Sequence, residues 1–130
     1  MEILIDTNFI LTSINQKIQL FENLKKEFPE YKITIPFEVL GELEKIKENK
    51  DSKIKERESA EIAIFLIKKQ NIKFISLNSK NVDSGIVIYI IKNPGIIVAT
   101  LDKELKERIR KKVPETEFLT IRQKTRILLE

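Results

Sequence analysis

The stretch Ile96-Ile97-Val98-Ala99-Thr100-Leu101-Asp102-Lys103-Glu104-Leu105-Lys106-Glu107-Arg108-Ile109-Arg110 decides the fold. Pro94-Gly95 precedes it as a turn signal, and residues 96–99 are an unbroken apolar run. A short apolar run rich in β-branched residues, set after a turn, reads as a strand buried on both faces. Leu101, Leu105 and Ile109 then recur every fourth residue among charges, which is the stripe of an amphipathic helix. The strand ends near Thr100 and the helix begins near Asp102. A carboxylate therefore stands at the carboxyl end of a buried strand, the edge where open α/β sheets bind ligands. Asp is also a preferred N-cap and suits the positive end of the helix dipole. This stretch alone leaves capping and function both open.

The same handover occurs at the start of the chain. Residues 1–5 read as a short apolar strand that ends at Asp6, and Phe9-Ile10-Leu11 with Ile14 open a helix. Residues 16–28 place Ile18, Phe21, Leu24 and Phe28 on one helical face. A second strand is expected over 32–35, and Pro36 fits the first turn of the next helix. That helix carries Val39, Leu40, Leu43 and Ile46 as its apolar face. Glu42 flanks that face, while Glu38, Glu44 and Glu48 read as solvated. Residues 47–58 are almost all charged and suit a solvated helix, a hairpin tip or a mobile loop. A helix over 58–70 is expected to turn Ile62, Phe65, Leu66 and Lys69 to one side. Strand 72–77, turn 78–81, a nearly all-apolar and therefore buried helix over 82–91, and strand 117–121 complete the pattern. Strands alternating with helices predict an α/β fold, a parallel sheet with helices on both faces.

Composition narrows the chemistry. With 130 residues, 42% hydrophobic and 34% charged, the chain is expected to form one domain, 1–130, with a real core. Residues 122–130 read as a partly extended basic and apolar tail. No apolar run approaches the ~20 residues that span a bilayer, and the first residues show no secretory signal. The expectation is a cytoplasmic protein with no membrane partner. There is no Cys and no His. Thiol nucleophiles, thiolate zinc sites, imidazole bases and Ser-His-Asp triads are therefore excluded. Carboxylates, hydroxyls, Lys and Arg remain, and oxygen ligands suit Mg²⁺ or Mn²⁺. The net charge of +4 permits nucleic-acid binding without establishing it.

Four acids share a peculiarity. Asp6 and Asp102 end apolar strands, Asp83 opens a buried helix, and Glu42 flanks an apolar stripe. Acids held this near a core need partners. Several converging carboxylates repel one another unless a cation sits between them. Capping explains acids at helix starts, but it does not explain Glu42.

Here the sequence resembles the PIN-domain ribonucleases over essentially its whole length. The motifs are Ile5-Asp6-Thr7-Asn8-Phe9-Ile10-Leu11, the stretch from Pro36 to Leu43 containing Glu42, Val82-Asp83 before Ile86, and Val98-Ala99-Thr100-Leu101-Asp102 followed by Leu105-Lys106. The stretch 97–110 and the opening Asp-Thr-Asn-Phe look most like the branch that includes ribosomal-RNA processing nucleases. The resemblance implies a three-layer PIN-like domain with strand order 3-2-1-4-5, so that Asp6 and Asp102 meet at the topological switch point. It implies a Mg²⁺- or Mn²⁺-dependent endoribonuclease. Asp6 and Asp102 would bind the metal, Glu42 and Asp83 would complete the pocket, and Asn8 and Thr100 would orient the acids. Many relatives have a second acid after the one at Asp83, where this chain has Ser84. The RNA would lie on Lys103, Lys106, Arg108, Arg110, Lys111 and Lys112, with Arg122, Lys124 and Arg126 of the tail in reserve. A solvated, dipole-stabilising face is the bland alternative for those cations. Partners implied are RNA, ribosomal RNA in particular, a processing complex or an antitoxin, and a second copy; Ile127, Leu128 and Leu129 need cover, either on the domain itself or across that dimer. A toxin ribonuclease and a non-catalytic RNA-binding scaffold are the competing roles.

Overall fold

The computed structural model describes residues 1–122 and 126–130. Lys124, one of the tail cations, lies outside the described residues. The elements follow in the order β1 (Glu2–Ile5), α1 (Thr7–Asn15), α2 (Leu20–Glu27), β2 (Lys32–Pro36), α3 (Phe37–Glu48), α4 (Ile54–Lys68), β3 (Lys73–Ile75), α5 (Val82–Lys92), β4 (Ile97–Ala99), α6 (Lys103–Lys112), β5 (Phe118–Arg122) and β6 (Arg126–Leu129). They build one sheet in the order β3-β2-β1-β4-β5-β6. Strand β1 lies parallel to β2, with Ile3 opposite Ile33, and to β4, with Leu4 opposite Val98. Strands β2 and β3 pair in parallel, as do β4 and β5. The expected order 3-2-1-4-5 is therefore present. The tail adds a sixth strand, antiparallel to β5, with Thr120 opposite Leu128.

Strand alternation divides the core in two. Ile3, Ile5, Ile97, Ala99 and Leu119 face one side and pack with Phe9, Phe21, Leu24, Leu43 and Ile67 of α1 to α4. Leu4, Val98 and Phe118 face the other side and pack with Ile86, Ile90, Leu105 and Ile109 of α5 and α6. The sheet is thus the middle of three layers.

Several local expectations are corrected. The helix expected over 16–28 starts only at Leu20, because Lys17 takes a left-handed φ of 57° in the turn after α1. Pro36 closes β2 opposite Ile75 and stands just before α3 rather than in its first turn. Of the readings open to the charged run 47–58, the hairpin tip is the one present, α3 ending at Glu48, while α4 begins at Ile54 and not at the expected 58. Helix α4 buries Ser59, Ala60, Ala63, Ile64 and Ile67, and leaves Ile62 and Phe65 exposed. The small residues let α4 lie close against its neighbours, so the bulky residues turn outward. Helix α5 is also not wholly buried, since Ile88 and Ile91 are exposed. No described helix is long and apolar enough to cross a membrane.

Candidate active site

The site is built where strands end. At the carboxyl ends of β1 and β4 the backbone N–H of Asp6 donates to the carbonyl of Ala99 at 3.0 Å, which fixes the two strand ends side by side. Asp6, Glu42, Asp83 and Asp102 line one cleft of about 440 Å³ together with Thr7, Asn8 and Lys45. Four acids from four distant segments therefore share one concavity, at the switch point between β1 and β4.

Asp6 is buried. Its Oδ1 accepts from the Thr7 N–H at 2.8 Å, and its Oδ2 from the Thr100 hydroxyl at 3.1 Å. Burial pushes its carboxyl up to about 6, and the charges of Asp83 and Glu42 push the same way, against the Thr7 and Thr100 bonds. Asp102 caps α6 after all, its Oδ1 accepting from the N–H groups of Glu104 at 2.9 Å and Leu105 at 3.2 Å. The two readings of Asp102 are not exclusive, because the capping residue also lines the cleft. In α5 the cap is Asn81, which accepts from the Ser84 N–H at 2.9 Å, so capping does not employ Asp83. Burial and the charge of Asp102 raise the Asp83 carboxyl, and Arg108 opposes them.

Of Asn8 and Thr100, only Thr100 hydrogen-bonds to the acids. Thr100 serves both acids, donating to Asp6 and accepting from the Asp102 N–H at 3.2 Å. Asn8 lines the cleft but is exposed, and Thr7 does the orienting instead. The buried Thr7 hydroxyl donates to Glu42 Oε1 at 2.5 Å. Its position beside Asp6 was the available signal. Lys45, one helical turn beyond Glu42, was also missed, and an i, i+3 reading of α3 would have found it. Glu38 is not simply solvated. Its carboxylate accepts from the N–H groups of Leu77 and Asn78 at 3.1 and 3.2 Å and clamps the loop that leads to Asp83.

The expected RNA-binding cations divide. Lys106 is buried and pairs with Glu130 at 2.9 Å, and Arg110 pairs with the same carboxylate at 3.0 Å. Arg108 donates to Ser84 Oγ at 3.0 Å, on the Asp83 side of α6. Lys103, Lys111 and Lys112 are exposed.

An all-oxygen donor set with one carboxyl raised by burial, and further by its acidic neighbours, fits a hard divalent cation. Among the described residues, no three acids are arranged to hold such an ion as they stand. Hydrogen bonds to Thr7, Thr100 and the first turn of α6 hold three of the four carboxylates.

A doubly wound sheet with an acidic cleft at its switch point defines the class. The PIN like domain family matches residues 3–124, and the chain belongs to that family. It is 32% identical to ribonuclease VapC4 of Methanocaldococcus jannaschii over 105 residues, 80% of this chain and 79% of that protein. It is 36% identical to the rRNA-processing protein fcf1 of Schizosaccharomyces pombe over 92% of this chain, which spans only 58% of that protein. The solved structure of the PIN domain endonuclease Utp24 superposes with a TM-score of 0.78 at 32% identity, covering 99% of this chain and 90% of that one.

Proposed function

We propose that residues 1–130 work as one domain, a metal-dependent endoribonuclease that hydrolyses RNA phosphodiester bonds in ribosomal-RNA processing. The observation that carries this reading is the meeting of Asp6, Glu42, Asp83 and Asp102 in one cleft. A Mg²⁺ or Mn²⁺ ion held by Asp6 and Asp102, with Glu42 and Asp83 completing the pocket, would offset charge building on the phosphate and make water a better nucleophile. Thr100 holds Asp6 in place and supports the start of α6 through Asp102. Thr7 fixes Glu42 against the end of β1. Lys45 and Arg108 bring positive charge beside the acids, where an RNA phosphate must approach. The processing role rests on the 36% identity to the rRNA-processing protein fcf1, and the likeness to the endonuclease Utp24 supports internal cutting. The match to ribonuclease VapC4, which covers four-fifths of both chains, supports the ribonuclease activity, and a toxin ribonuclease with an antitoxin partner is the second reading of that activity.

The test is incubation of the purified chain with structured RNA in Mn²⁺ and in chelator, with Asp6→Asn and Asp102→Asn prepared in parallel. Internal cleavage is expected only with metal. Each variant should lose at least the roughly 10–100-fold that even outer partners of a metal site cost. Equal cleavage by all three proteins would reject the assignment. Cutting confined to ribosomal-RNA precursors supports processing, whereas growth arrest on expression, relieved by a co-expressed small protein, supports the toxin.

A further inference from the structure

A second concavity, of about 360 Å³, lies between α6 and the β5–β6 edge. Lys103, Lys106, Arg110 and Arg122 line it, against Glu107 and Glu130. Four cations thus face two carboxylates. The Lys106 side chain is only 8% exposed, and its ammonium donates to Glu130 Oε1 at 2.9 Å. The Arg110 guanidinium donates to Oε2 at 3.0 Å and stacks over the Phe118 ring. A buried ammonium needs an anion, and here one carboxylate is gripped on both oxygens by two different cations. That two-oxygen grip is also how Arg and Lys hold a phosphate. The pocket adjoins the acid cleft. Leu101 and Lys103 line the basic pocket, while Asp102 between them lines the cleft.

We propose that this pocket binds a phosphodiester of the RNA strand leaving the acid cleft, and that Glu130 is its resident anion until RNA displaces it. The identity of the ligand rests on the nuclease reading above; the chemistry of the pocket does not. A simple latch for β6 needs one cation on Glu130, yet two more, Lys103 and Arg122, line the pocket exposed to solvent. The Glu130 side chain can leave without unzipping β6, because its backbone N–H is held separately by the Phe118 carbonyl at 2.8 Å. An outgoing carboxylate and an incoming phosphate exchange one anion for another, so Lys106 is never left buried without a partner.

The test uses the full chain in chelator, with binding of short single-stranded RNA followed by anisotropy over a range of salt. Glu130→Gln keeps an oxygen for Lys106 but removes the competing charge, and it should bind RNA about threefold more tightly or better. Lys103→Ala with Arg122→Ala, both at exposed positions, should bind more weakly and flatten the salt slope by about 1. Inorganic phosphate should compete with RNA for the wild type and less well for the double variant. Unchanged or weaker RNA binding by Glu130→Gln, with an unchanged slope in the double variant, would make the pocket a structural latch only and overturn the proposal. Phosphate competition without any effect of the variants on RNA affinity would overturn it too, as a pocket for the free ion. Wild-type cleavage in Mn²⁺ is scored separately. If cleavage fails while Glu130→Gln still binds RNA more tightly, the nuclease reading falls and the pocket stands.

Discussion

Asp6 pairs burial with like charge, and its protonation should be visible in stability. Its carboxyl is raised from an ordinary 3.8 to about 6 in the folded chain. A group raised on folding binds its proton more tightly in the native state. Its contribution is therefore greatest below about 3.8, falls as pH rises towards about 6, and is lost above that. The loss is on the order of 3 kcal/mol across that window. In chelator, the stability of Asp6→Asn relative to wild type should rise between pH 4 and pH 7, as read by urea unfolding. A constant difference would mean that Asp6 feels no such burden. Asp102 gives a complementary test. Its Oδ1 does the capping, and Asn caps about as well as Asp. Metal-free Asp102→Asn should thus melt at or above the wild-type temperature. With Mn²⁺ at about a hundred times its dissociation constant, wild type should gain ~2.7 kcal/mol and the variant should lose most of that gain. Identical melting of both proteins under both conditions would leave Asp102 a cap and nothing more.

At the scale of elements, the position of Asp83 depends on how closely a loop can approach a helix. A Cβ on Gly85 would stand 2.8 Å from Leu77 Cβ and 3.0 Å from Ser79 Cβ. The loop it would strike is the one Glu38 clamps, and Asn78 in it has a left-handed φ of 52°. Gly85→Ala should therefore cost about 1–3 kcal/mol by overpacking. Cleavage should fall further than the lost stability explains, because the shift moves the first turn of α5. Gly41 is the control, since nothing lies within 4 Å of a Cβ built there. Gly41→Ala in the middle of α3 should stabilise by roughly 0.5–1 kcal/mol. Urea unfolding and cleavage rates of the two variants check both outcomes, and equal effects would remove the loop contact as the cause.

For the molecule as a whole, residues 126–129 extend the sheet. Strand β6 pairs with β5 along its length, and Ile127 packs against the main core. The sequence leaves Ile127, Leu128 and Leu129 to be covered either by the domain itself or by a second copy, and the sheet covers much of them itself. Only Leu129 is largely exposed. Ending the chain at Lys124 should then lower stability by about 2–4 kcal/mol, the worth of one or two half-buried aliphatic side chains and the strand they anchor. Equilibrium sedimentation beside urea unfolding checks this. Unchanged stability with a halved mass would return the tail to the role of a dimer contact.

The α/β class, the strand-to-helix handovers at Asp6 and Asp102, and the exclusion of thiol and imidazole chemistry were legible in the sequence. Each depends on local periodicity, on a cap, or on which residue types the chain lacks. The resemblance carried by the four acid motifs gave the strand order, and the sheet bears it out. Other features depended on contacts between residues far apart in the chain, which no spacing records. Thr7 reaches Glu42 across 35 positions, Glu38 clamps a loop 39 positions away, and Glu130 meets Lys106 across 24. The inward face of α4 differs from its apolar stripe for a related reason. Apolarity alone favoured Ile62 and Phe65, but close approach between helices selected Ala60 and Ala63. Side-chain type declares what a residue can do; only the packed chain decides which neighbours it does it with, because burial and pairing are properties of the assembled surfaces.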